Sequence, residues 1–178
     1  MKKLIVLIAA LLAALLIVGC ASKPAAPTGP SAAEMMSDAK NNAPSSALVG
    51  QATSKSGKDR AEQNALLQIV RGMTYIVGEM VDEQAAGGRL TATVAADFKV
   101  AVNSALSRAN LGNAVKVDSG VSAASEGWAV FYLDKGETQK EITKAVNLAK
   151  ESVAAGNFNF SNYDAKFAVA AAREWKVN

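Results

Sequence analysis

The chain of 178 residues contains no histidine and a single cysteine, Cys20. Without imidazole there is no Ser-His-Asp triad, no Cys-His pair and no His-ligated metal. One thiol excludes a disulfide within the chain and a Cys-rich metal site. All four prolines, Pro24, Pro27, Pro30 and Pro44, fall near the start, so no proline interrupts the chain beyond residue 44. Neither sign of charge dominates: 19 Lys and Arg stand against 16 Asp and Glu. Setting aside Lys2 and Lys3, which lie in a segment that reads as removable, leaves the basic residues one ahead. That balance, in a chain with export features, argues against nucleic acid as a partner.

Hydrophobic residues make up 50% of the sequence, and they are not spread evenly. After Met1-Lys2-Lys3, Leu4 to Val18 is unbroken Ala, Leu, Ile and Val. The run is shorter than the roughly 20 residues of a membrane-spanning helix and has the size of a signal-peptide core. It ends in Ile17-Val18-Gly19-Cys20, which resembles the lipobox of bacterial lipoproteins. Small Gly19 opens the bond before Cys20 to a peptidase, and the Cys20 thiol accepts a diacylglyceryl group. Residues 1–19 are therefore expected to be a lipoprotein signal peptide cleaved between Gly19 and Cys20. Two or more acyl chains on Cys20 give stable anchoring where one does not. Ala21 resembles the residue that sends such proteins to the outer membrane by default.

Residues 20–46 are Ala, Pro, Ser, Gly and Asn with few charges. Such a composition buries too little apolar surface to offset ordering entropy and reads as a disordered, flexible tether. Within it, Met35-Met36 could start a short helix from Ser31 to Lys40. Residues 47–178 read as one α+β domain with a small antiparallel sheet of about three strands. A long helix pair packs against the sheet, and further helices follow at the C-terminus.

The element boundaries follow from periodicity. Ala47 to Ser54 reads as a strand. A helix over Lys58–Ala86 has Ala61, Ala65, Leu66, Ile69, Val70, Met73, Ile76, Val77 and Met80 on one face, at steps of three and four. Arg60, Gln63, Asn64, Gln68, Arg71, Glu79 and Asp82 take the other face. Gly72 and Gly78, each costly inside a helix, mark a close contact or a bend. A second helix is expected over Thr93–Asn110, and a strand from Val115 that reaches Val121 or Ala123. Gly127–Leu133, apolar on both sides, reads as the central strand. Ser56–Asp59, Thr138–Glu141 and Ser161–Asp164 carry the hydroxyl-x-x-acid pattern of helix starts. The Thr138 helix is expected to end at Gly156. The terminal helix carries Tyr163, Phe167, Ala170, Ala171 and Trp175 on one face, and docking on its own domain is the expected arrangement.

Three stretches carry a family resemblance: Val49-Gly50-Gln51-Ala52, Asp59 to Leu66, and Gly127 to Leu133. Together with the lipobox they resemble the LPP-twenty lipoprotein family of bacterial membrane-associated proteins, over roughly Leu48 to Val153. Asn157 to Asn178 departs from that pattern. The resemblance implies an α+β fold and a cell-envelope location. It implies no catalytic residue, metal or cofactor to carry over.

Chemistry elsewhere is sparse. Asp82-Glu83 and Glu137 with Glu141 are the acid pairs that glycoside hydrolysis would need, but helix ends and caps account for them. Gly87-Gly88-Arg89 and Ser54 to Lys58 offer amides and cations before helices, without a phosphate-loop fingerprint. Lys135, Lys140, Lys144 and Lys150 cluster around one helix, where anionic lipid or glycan could meet them. The sequence thus favours a non-enzymatic structural or binding module, lipid-anchored at the outer membrane. Its partners are the membrane, through Cys20, and an envelope protein or glycan. The alternative is a lipid- or glycan-binding accessory with an apolar pocket in the helical layer, lined by Met73, Met80, Gly72 and Gly78.

Overall fold

Gly127–Leu133 is apolar on both faces because both are covered, Ala129, Phe131 and Leu133 joining the main core and Trp128 and Val130 a second cluster; it also has hydrogen-bonding neighbours on both edges. In the computed structural model, which describes residues 28–175, it is strand β3, between β1 (Leu48–Ser54) and β2 (Val115–Val121). Both pairings are antiparallel. Leu48 faces Leu133 and Ser54 faces Gly127; on the other side Val115 faces Tyr132 and Val121 faces Gly127. The β2 register slips between Lys116 and Asp118, leaving Val117 as a bulge.

The inner face of the sheet, with Leu48, Ala52, Ala129, Phe131 and Leu133, joins the main core. The helix Lys58–Ala86 crosses this face, with Ala61, Ala65, Ile69, Gly72, Met73, Ile76, Val77 and Met80 buried. Small residues let its backbone approach the sheet. A Cβ on Gly50 would sit 1.9 Å from the Ala65 carbonyl oxygen, and one on Gly72 would sit 2.5 Å from Leu48. Gly72 is therefore the close contact expected of it, whereas Gly78 borders open space. Gln68, expected on the solvent face, is buried. Its side-chain oxygen accepts the Gln51 N–H at 3.1 Å, so it occupies a donor that edge strand β1 would otherwise present to another chain.

The remaining helices complete the inner layer. Ala92–Leu106 is capped by Thr91, whose hydroxyl accepts the Val94 N–H. Lys135–Ser152 packs beside it, and Tyr163–Ala171 returns along the long helix. Among the described residues the helices are, in chain order, α1 (Ala32–Lys40), α2 (Lys58–Ala86), α3 (Ala92–Leu106), α4 (Lys135–Ser152) and α5 (Tyr163–Ala171).

The expected helix starts need correction. The α2 cap is Gly57, at φ +94° and with no side-chain bond; a Cβ on Gly127 would fall 2.1 Å from the Gly57 carbonyl carbon. The start of β3 abuts the turn there, so backbone contact sets the helix start, not Ser56. Asp134 caps α4, accepting from Glu137 N–H at 2.8 Å, and Thr138 is a fully buried residue of the first turn whose hydroxyl donates to the Asp134 carbonyl. That helix ends at Ser152 and not at Gly156. Asn162, left-handed at φ +58°, precedes α5 without a side-chain cap.

The stretch read as a tether contains a docked element. Ala32–Lys40 is α1, started by a Ser31–Glu34 capping box and lying on the outer face of the sheet. The folded unit thus begins before Ala47. Ala32, Ala39, Trp128 and Val130 form a second buried cluster there, with Met35, Met36, Val49 and Val117 packed against it. Trp128 lies over Gly120, whose missing side chain leaves room for the indole: a Cβ there would meet Nε1 at 3.1 Å. The Trp128 Nε1 is buried without a hydrogen-bond partner among the described residues, a cost of about 1–3 kcal/mol.

At the other end the aromatic segment is docked on its own domain. Phe158 meets Phe98 at a tilt with ring centroids 5.0 Å apart, and Trp175 meets Tyr75 at 5.4 Å. Phe158, Tyr163, Phe167 and Ala170 are buried in the main core. Gln84 pins the approach to this segment, donating to the Asn159 carbonyl at 2.8 Å and accepting the Asn159 N–H at 3.1 Å.

Candidate functional site

Gly19 and Cys20, the expected processing and lipidation residues, lie outside the described residues. Among the described residues no helix is long and apolar enough to cross a membrane.

An open groove of about 660 Å³ runs between α3 and α4. Alanines line both its walls: Ala101, Ala105 and Ala109 on one side, Ala145 and Ala149 on the other. Where larger side chains would interdigitate, these leave a trough. Leu148, 57% exposed, stands on one wall. Arg108 and Lys144 reach the groove, and the turn at Asn110, Gly112 and Asn113 closes one end. Glu141 is buried in it, with Lys144 Nζ at 2.6 Å.

This groove is not the pocket expected from the sequence. Met73 and Met80 are fully buried core residues, and neither they nor Gly72 and Gly78 line it. The alanine spacing of four on two successive helices was the available signal, and it reads equally as close helix packing.

The acid pairs are each held by cations or amides. Asp82 pairs with Lys99, and Glu83 with Lys166 at 3.2 Å while also accepting from Asn162. Glu137 pairs with Lys140 and accepts from Asn113 at 2.8 Å. The Lys166 and Asn162 hydrogen bonds hold the Glu83 carboxyl below the usual range, and those from Lys140 and Asn113 do the same for Glu137. A general acid working near neutral pH needs a shift in the opposite direction.

The expected basic face is likewise partnered. Lys135 pairs with Asp164 at 2.8 Å, Lys140 with Glu137 and Lys144 with Glu141. Lys150 donates to the Phe158 carbonyl at 3.0 Å. The glycine loops use their amides internally: Gly87 N–H donates to Glu83 O, Arg89 N–H to Gln84 O and Gly57 N–H to Ser54 O. Tyr163, buried, donates its hydroxyl to the Lys135 carbonyl, and burial raises its pKa above the ordinary phenol range.

Comparison with protein-family models, with curated proteins and with solved structures returns no match.

Proposed function

We propose that this chain is a lipid-anchored cell-envelope lipoprotein that acts at the bacterial outer membrane as a non-enzymatic structural or binding module, akin to the LPP-twenty lipoproteins. The observation that carries the reading is the position of the only cysteine. Cys20 directly follows Gly19 at the end of the apolar run Leu4 to Val18, where a lipoprotein peptidase and an acyl transferase would act. Two features of the domain support a binding over a hydrolytic role. The candidate acids are tied to lysines and amides, and Glu83 and Glu137 are shifted away from the proton-donor range. The second reading, a lipid- or glycan-binding accessory, would use the open groove between α3 and α4, whose lining mixes alanines with Arg108, Asn113, Glu141 and Lys144, and not an enclosed apolar pocket.

The test is Cys20→Ser in cells fed an alkyne-tagged palmitate. The parent should take up label, begin at Cys20 by mass spectrometry and sediment with outer-membrane markers. The variant should stay unlabelled and keep residues 1–19. A Cys20→Ser protein that is still acylated and processed refutes the anchor.

A further inference from the structure

α1 stands apart from the rest of the fold. It buries Ala32 and Ala39, in the outer cluster with Trp128 and Val130. The largest fully buried side chains, among them Phe98, Leu48, Ile69, Met73 and Ile76, all belong to the main core on the other side of the sheet. That core is closed without α1. A nine-residue helix has no stability of its own in water, so α1 is helical only while docked. Its cap is internal, Ser31 to Glu34, and the ion pair that ties its end to the domain, Lys40 to Glu174 at 2.9 Å, is solvent-exposed and so adds little. Trp128, in the same outer cluster as Ala32 and Ala39, carries an N–H without a hydrogen-bond partner among the described residues, so the face that α1 covers holds an unsatisfied polar group.

We propose that α1 is a detachable strap that sets the distance between the domain and its membrane anchor. Docked, with Gly29 against Ala123, α1 leaves no more than residues 20–28 between the lipid and the domain, a contour of at most about 30 Å. Released, it frees the chain to Ala47, and the limit rises to about 90 Å. Release also bares an apolar sheet face around Trp128 and Val130 without opening the main core. The change of span rests on the proposed lipid at Cys20; the detachment does not.

The experiment uses the purified full chain carrying Trp175→Phe, so that Trp128 is the sole tryptophan, with Ala39→Glu to expel the strap. Ala33→Glu, on the exposed side of α1, serves as control. In native hydrogen exchange the α1 amides should exchange at least a hundredfold faster than those of β3. Ala39→Glu should red-shift Trp128 emission and open it to acrylamide, while the cooperative melt persists; Ala33→Glu should do neither. On supported bilayers, neutron reflectometry should place the Ala39→Glu domain farther from the surface. Exchange of α1 in step with β3, a Trp128 that stays shielded, or loss of the cooperative melt in Ala39→Glu each overturns the detachment. An unchanged height overturns the control of span. A chain that does not stay on the bilayer at all refutes the lipid anchor and the span with it, and leaves the exchange and fluorescence results to decide the strap.

Discussion

Gly50 and Gly78 show how the same residue type does opposite things at two places. At Gly50 the α2 backbone comes so close that a Cβ would overlap the Ala65 carbonyl, with Ile69 also within 3.0 Å. Neither the strand nor the helix backbone can yield without moving the sheet from the core. Gly50→Ala should therefore cost about 3 kcal/mol or more, the upper part of the overpacking range. Gly78 lies inside α2 with nothing within 4 Å of a new methyl group. Gly78→Ala should stabilise by about 0.5–1 kcal/mol, through the helix propensity that glycine lacks. Urea unfolding of the two variants checks both signs. A Gly50→Ala midpoint equal to that of the parent would mean that α2 does not lie on β1 as described.

At the scale of elements, Glu62 is the polar tie between α2 and β2. It accepts from Lys116 Nζ and from Ser119 Oγ, both at 2.8 Å, and Lys58 lies 3.9 Å away. The Lys116 hydrogen bond leads in holding its carboxyl below the usual range, with Ser119, Lys116 charge and Lys58 adding to it against desolvation. A folded pKa below the unfolded value means stability that is present above about pH 4.3 and lost as the pH falls through the folded pKa. Glu62→Gln should thus cost about 1 kcal/mol at pH 7, and its melting temperature should converge on that of the parent in acid. Parallel melting curves from pH 7 to pH 2 would remove Glu62 from the stability of the domain. None of this was legible in the sequence, where Glu62 is one of many charges on a helix. What periodicity did resolve is the set of long elements: α2 falls on Lys58–Ala86 and β3 on Gly127–Leu133, because their apolar patterns are long and unambiguous. The hydroxyl-x-x-acid pattern at Ser56, Thr138 and Ser161 does not mark the caps, because it recurs within a turn of the true start. For α4 the pair Asp134 and Glu137 sits one turn earlier. Periodicity puts Gln68 on the solvent face because it cannot register an edge-strand amide in need of an acceptor. The α3–α4 groove stayed hidden for a related reason: whether alanines on two helices meet or leave a trough depends on how the helices are set against each other.

For the whole molecule, the two ends of the described chain differ in kind. The N-terminal α1 packs on the outer face of the sheet, with Lys40 paired to Glu174, and besides the alanines it contributes only the partly exposed Met35 and Met36. The C-terminal segment instead supplies Phe158, Tyr163, Phe167 and Ala170 to the main core, with Trp175 closing over Tyr75. Each buried aromatic removed costs about 3–5 kcal/mol, and a domain holds only about 5–15 kcal/mol in total. A chain ending at Gly156 should therefore keep helix and strand by circular dichroism, bind a dye for apolar surface and lose its cooperative melt, because Phe98 and the face of α2 beneath Phe158 and Phe167 are left open. Ala39→Glu, which disturbs only the other end, should keep that melt. The contrast between the two is the sharper observation, since a generally weak domain would fail in both. If the chain ending at Gly156 melts at the temperature of the parent, the aromatic segment is not part of the core, and its stripe must be covered by another molecule.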